Sequence, residues 1–213
     1  MGLNKPSSYL YGVMYKSNRP KSDFDDEIVI SKPSKEHNLI NGNEIYFYSE
    51  ISMGTVFALN KAISDLEKQL LITQINLDLP TPPAMKLFIN SDGGEIFSAF
   101  TAIDRIKTCR VPVYTYVDGI AASAATLISI SAKKRYIGKN SVMLVHQLRS
   151  WCGGTHENFK DEAKNLEMLS EKIQNIYLEY TKFTRDDLKE ILKHDIYLSA
   201  EECIKYGLAD EIL

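Results

Sequence analysis

Cysteine is scarce in this sequence. There are three in 213 residues, Cys109, Cys152 and Cys203, and no CxxC pair. An odd count without that spacing excludes a disulfide framework and a cysteine zinc site, and fits the reduced thiols of a cytosolic protein. An excess of one charge is missing too. Lys and Arg number 25 against 28 Asp and Glu, giving a net charge of −3 and a pI near 5.9 with both signs interspersed. That excludes the basic face or stripe a nucleic-acid partner requires. No long hydrophobic run occurs. The least polar stretch, Ile120 to Ala132, is too short and too serine-rich to span a bilayer. The N-terminus lacks the apolar core of a signal peptide. Pro6 stands where a myristoylation pattern needs Ser or Thr. The expectation is a soluble, cytoplasmic protein without repeats. It is one domain with an appendage, and its 44% apolar residues suffice for a sizeable core.

What is present changes character along the chain. Residues 1–43 carry Pro6, Pro20 and Pro33 and only short apolar patches, Tyr9-Leu10-Tyr11 and Ile28-Val29-Ile30. They read as a partly flexible arm with room for one short strand. From Glu44 onward a folded domain is expected. Ile45-Tyr46-Phe47-Tyr48 is an aromatic strand. Val56, Leu59, Ile63, Leu66 and Leu70 recur at helical spacing. After Pro80, Pro82 and Pro83, Met85 to Ile89 is a buried strand, Asn90 to Gly94 a turn, and Glu95 to Lys107 a helix with Ile96, Phe100, Ile103 and Ile106 on one face.

Val111 to Val117 is the next strand, and Arg135 to Ile137 and Val142 to Val145 follow as strands. A polar stretch, Leu148 to Thr155, precedes a long helix with Phe159, Ala163, Leu166, Leu169, Ile173, Ile176 and Tyr180 as its apolar face. Thr184 N-caps a short helix, Ser199 to Glu202 is a capping box, Gly207 ends the last helix and Ala209 to Leu213 is a strand. Alternating strands and helices imply an α/β fold with a mostly parallel sheet, whose sites lie at the carboxyl ends of the strands.

Asp118-Gly119-Ile120-Ala121-Ala122-Ser123-Ala124 falls at such an end. Gly119 permits a sharp turn, and the helix N-terminus beyond it offers free N–H groups to an anion. A hydroxyl there is placed to attack a carbonyl, with main-chain donors for the oxyanion. On spacing alone, a closely packed helix is the commoner reading of Ser123. His146 ends an apolar strand, where a hydrogen-bonded core ring and a general base are equal readings. His37 and His156 read as surface residues, and Asp195 reads as a turn residue or as the carboxylate of a Ser-His-Asp set.

Several segments together resemble the proteolytic subunit of the Clp protease family (ClpP). Phe88-Ile89-Asn90-Ser91-Asp92-Gly93-Gly94 resembles its glycine turn, Gly119 to Ala124 its nucleophile motif, and Asn140 to Gln147 its histidine strand. Asp195 to Glu202 and Tyr206 to Asp210 resemble its terminal segment. The resemblance implies a ClpP/crotonase-like spiral of βαβ units over residues 44–213 with a protruding handle helix. It implies a serine endopeptidase acting on unfolded or short polypeptides inside a chamber. Ser123 matches the nucleophile, His146 the general base, and Asp195 the carboxylate that sets the imidazole tautomer. The N–H groups of Gly94 and Ala124 match the oxyanion hole, and Gly93, Leu148, Gly153 and Gly154 the substrate contacts. Stacked heptameric rings and an AAA+ unfoldase partner are implied, with ATP used only by that partner. No metal or cofactor is expected in the subunit.

Some positions depart from the family pattern. Asp92 and Leu148 replace usual prolines, Ser150-Trp151 replaces an expected glycine pair, and His194 replaces a usual arginine. The segment from Ser123 to His146 is shorter than usual and Leu71 to Pro83 is longer, while residues 1–43 do not match. Other readings are a crotonase-type acyl-CoA hydratase or isomerase, a serine–lysine peptidase using Lys133 or Lys134, and an inactive scaffold subunit of a mixed ring.

Overall fold

A computed structural model describes residues 38–213. The arm patches and His37 lie outside the described residues. In chain order the elements are β1 (Asn38–Asn41), β2 (Glu44–Phe47), α1 (Met53–Asn76), β3 (Met85–Ser91), α2 (Ile96–Lys107), β4 (Val113–Ala122) and α3 (Ala124–Ile130). They continue as β5 (Lys134–Ile137), β6 (Val142–Leu144), α4 (His156–Tyr180), α5 (Arg185–Ile191), β7 (Tyr197–Leu198), α6 (Ala200–Tyr206) and β8 (Glu211–Ile212). The sheet runs β1-β2-β3-β4-β5-β8, and β6 branches from β4 to pair with β7. Among the described residues only the β1–β2 and β6–β7 pairs are antiparallel. This is the α/β fold with the mostly parallel sheet that the alternation of elements implies. β1 falls before Glu44, where the folded domain is expected to begin, and is hydrogen-bonded to β2.

Period-two alternation along the strands separates two faces. Met85, Leu87 and Ile89 of β3 and Val113, Thr115 and Val117 of β4 point into the core. Their neighbours form a stacked aromatic ladder. Tyr46, Phe88, Tyr116 and Tyr136 are register partners on four adjacent strands, with ring centroids 4.7, 4.7 and 4.6 Å apart. Such stacking adds about 0.5–1.5 kcal/mol per pair beyond burial.

The five apolar positions expected on one face of α1, Val56, Leu59, Ile63, Leu66 and Leu70, are all buried. At roughly 1.5–3 kcal/mol each, they outweigh the Ser52–Thr55 capping box, which is worth about 1 kcal/mol. Packing therefore holds this helix. The long helix α4 behaves differently. Thr155 and Asn158 close a capping box that starts it at His156, but only Leu169, Ile173 and Tyr177 are buried. Its first three turns stand away from the core. Residues 148–155, before it, form neither helix nor strand.

Candidate active site

The site begins with a kink in β4. Up to Val117 this strand pairs with β5, and from Ile120 to Ala122 it pairs with β6. Gly119, at the change of partner, has φ +94 and donates its N–H to Ser141 Oγ at 2.8 Å. An added Cβ would lie 3.0 Å from the Asn90 side chain. The strand thus continues through the segment expected to turn at Gly119. Gly119 serves as the hinge of a strand that changes neighbours.

The sharp turn comes at Ser123 itself, the residue joining β4 to α3. Its backbone sits at φ 54, ψ −125, a region costing of order 1–3 kcal/mol for a residue with a Cβ. Local hydrogen bonds hold it there. The Ser123 N–H donates to the Leu144 carbonyl at 2.8 Å, and the Ser123 carbonyl accepts from the Thr126 N–H at 3.0 Å and the Thr126 hydroxyl at 2.6 Å. The Thr126 proton is committed to that bond, so the buried Tyr177 hydroxyl donates to Thr126 Oγ1 at 2.5 Å. Burial pushes the Tyr177 phenol well above its ordinary range, keeping it a neutral donor. The serine side chain makes no bond to cap its own helix. A strained serine between strand and helix, with an uncommitted hydroxyl, is the geometry of an exposed nucleophile.

Gly93 and Gly94 press against this turn with φ +100 and +144. A Cβ on Gly93 would stand 2.7 Å from both the Ala122 carbonyl and Ser123 Cβ, and one on Gly94 only 2.1 Å from the Ile51 carbonyl. The clamp is completed by the Ile51 N–H on the Gly93 carbonyl at 2.7 Å and the Glu95 N–H on the Ile51 carbonyl at 2.8 Å. Both glycines are therefore required by close packing as well as by room for a ligand. Ala124 is the first residue of α3, so its N–H has no partner within the helix.

Gly94, Ser123, Ala124, His146, Leu148 and Arg149 line one cavity of about 30 Å³, walled on its apolar side by α3 and α4. That volume holds about two waters. His146 lies just beyond β6, half-buried. Its Nδ1 meets the Gln147 carbonyl at 2.7 Å. A carbonyl can only accept, so Nδ1 carries the proton and Nε2 is left as the acceptor.

Asp195 does not line this cavity. It is exposed, and its carboxylate is bound by the guanidinium of Arg149. The physical reason is the partner on offer. A carboxylate gains more from a permanent cation in a charge-assisted bond than from the N–H of a neutral imidazole. Gly153 and Gly154 are exposed and outside the cavity. Gly154, at φ +140, lies against the Asn158 side chain at the start of α4. Asp92 is exposed as well and does not line the cavity. Lys133 is exposed, and the Lys134 ammonium is held 3.0 Å from Glu211, so neither supplies a base beside Ser123. His156 is exposed at the start of α4. His194 faces Glu190 on its own chain at 3.5 Å. Sequence reasoning missed Tyr177, Thr126 and Arg149. The spacing of Leu169, Ile173 and Tyr177 by fours was the available sign for Tyr177.

Among the described residues no cluster of His, Cys, Asp and Glu could hold a metal ion, and no helix is long and apolar enough to cross a membrane.

The fold and its site define an α/β protein that presents a serine, a histidine and two main-chain N–H groups at the carboxyl ends of parallel strands. Residues 41–213 match the family model described as Clp protease. The chain belongs to that family and is a ClpP-type subunit. It is 30% identical over 191 residues to the ATP-dependent Clp protease proteolytic subunit 2 of Treponema denticola, covering 88% of this chain and 87% of the relative. It is 32% identical over 170 residues to the ATP-dependent Clp protease proteolytic subunit of Dehalococcoides mccartyi, covering 78% of this chain and 85% of the relative. Among solved structures, a mutant of ClpP1 from Listeria monocytogenes superposes with a TM-score of 0.68 at 25% identity, covering 81% of this chain and 91% of that one.

Proposed function

We propose that the chain is a serine endopeptidase that hydrolyses unfolded or short polypeptides. The observation that carries this reading is the strained Ser123, which shares a cavity with His146 and with the main chain of Gly94 and Ala124. His146 Nε2 takes the proton as Ser123 Oγ attacks the peptide carbonyl, then gives it to the leaving amine. The Gly94 and Ala124 N–H groups stabilise the oxyanion, each worth roughly 10²–10³ in rate. Asp195 is the carboxylate that supports the imidazolium, once it reaches Nδ1. The crotonase-type reading gives a strained serine nothing to do.

Assembly into stacked rings, fed by an AAA+ unfoldase in the cytoplasm, belongs to the same reading. Its support is the family, and the exposed first half of α4 beside a segment that is neither helix nor strand. Cleavage of a short fluorogenic peptide tests the chemistry. Ser123→Ala abolishes it, His146→Ala does nearly the same because the two act as a unit, and Asp195→Asn costs up to roughly 10⁴. Full activity in Ser123→Ala contradicts the mechanism.

A further inference from the structure

Arg149 occupies a position with two consequences. The residue lines the cavity that holds Ser123 and His146, and its guanidinium binds the carboxylate of Asp195. A carboxylate held by Arg149 is withheld from His146, whose Nδ1–H is left with the neutral Gln147 carbonyl at 2.7 Å. That carbonyl fixes the tautomer, but it carries no full charge to stabilise an imidazolium in the transition state.

We propose that Arg149 is a positioning residue that restrains the site, holding Asp195 off His146 until an entering peptide displaces it. The inference rests on the reading of Ser123 and His146 as nucleophile and base. One movement then does two things. Drawing Arg149 away as a peptide settles beside it clears the rim of the cavity and releases Asp195 to the imidazole. The restraint is weak enough to be undone, because Arg149 and Asp195 are 44% and 48% exposed and ion pairs in water are readily exchanged. Asp195 precedes β7, the short strand that pairs with β6, and β6 leads directly to His146. The carboxylate and the imidazole are thus carried by adjoining strands.

The test uses the full-length protein and its Arg149→Gln, Arg149→Lys, Asp195→Asn and Arg149→Gln/Asp195→Asn variants. Two readouts are followed, the labelling rate of Ser123 by a fluorophosphonate and crystal structures without substrate. Arg149→Gln raises the labelling rate by up to about 5-fold, the worth of one exposed ion pair, and raises kcat for a short peptide with it. Arg149→Lys, which keeps the charge, recovers most of the restraint. In the Asp195→Asn background the gain from Arg149→Gln disappears, which separates release of the carboxylate from simple widening of the cavity. In crystals, Asp195 stays on Arg149 in the unaltered protein and moves within hydrogen-bond reach of His146 Nδ1 in Arg149→Gln. No gain, a gain that survives Asp195→Asn, or Asp195 already on His146 without substrate overturns the proposal. If no variant labels, the serine-peptidase reading fails, and the place of Asp195 in the Arg149→Gln crystal still decides the restraint.

Discussion

At Ser123 a residue with a Cβ holds a backbone conformation that favours glycine. Relief of that strain and the cost of a freer unfolded chain oppose each other in Ser123→Gly. Strain of about 1–3 kcal/mol exceeds the roughly 0.5–1 kcal/mol that glycine loses on ordering. Ser123→Gly therefore raises the melting temperature by about 2–4 °C, the response of a domain this size to a net 1 kcal/mol, while removing the proposed nucleophile. Calorimetry beside a peptidase assay checks both halves, and a lowered melting temperature contradicts the strain argument. The position of Ser123, though not its strain, was legible in the sequence. A serine after an apolar strand and before a small-residue helix marks a strand-to-helix turn. Asp195 was legible as a residue but not in its partner. Arg149 is its neighbour only through the fold, and no local pattern links two residues on loops that meet by tertiary approach.

Between elements, one buried carboxylate joins three pieces of chain. Glu67 of α1, 6% exposed, accepts from Arg105 of α2 at 2.5 Å and from the Arg110 N–H and guanidinium at 2.8 and 2.9 Å, just before β4. Burial pushes its carboxyl up, but these hydrogen bonds and the guanidinium charges outweigh burial and bring it to about 2. A folded-state value below the unfolded one means stability that is complete above about pH 5 and is lost as pH falls toward 2. Glu67→Gln leaves charged partners behind, costs on the order of 3 kcal/mol and flattens the acid limb of the pH–stability curve. Denaturant titration at pH 3 and pH 7 measures it, and an unchanged pH slope in the variant contradicts the assignment. Sequence periodicity located α1 and its buried face, but Glu67 stood on that helix as one more charge. Its burial depends on two arginines arriving from 38 and 43 residues away. The kink of β4 at Gly119 was hidden for a related reason. A glycine signals freedom, and only the change of partner strand shows that the freedom is spent inside a strand.

On the scale of the whole molecule, the first half of α4 and the segment before it leave apolar side chains in water. Trp151 is 84% exposed, Met168 55% and Phe159 50%. Phe159 and Met168, nine residues apart, lie on opposite sides of α4, so this half of the helix carries apolar side chains on both sides that an assembly would cover. Sedimentation velocity is expected to show a particle much larger than the 24.1 kDa chain, and Phe159→Glu with Met168→Glu shifts it to smaller species. A monomer for the unaltered protein contradicts the ring assembly. Chemistry remains the central claim, and covalent capture tests it most directly. The protein is treated with a fluorophosphonate and the adduct is located by mass spectrometry. A single adduct on Ser123, absent in Ser123→Ala and strongly slowed in His146→Ala, is the predicted result. An adduct on another residue, or labelling indifferent to His146, contradicts it.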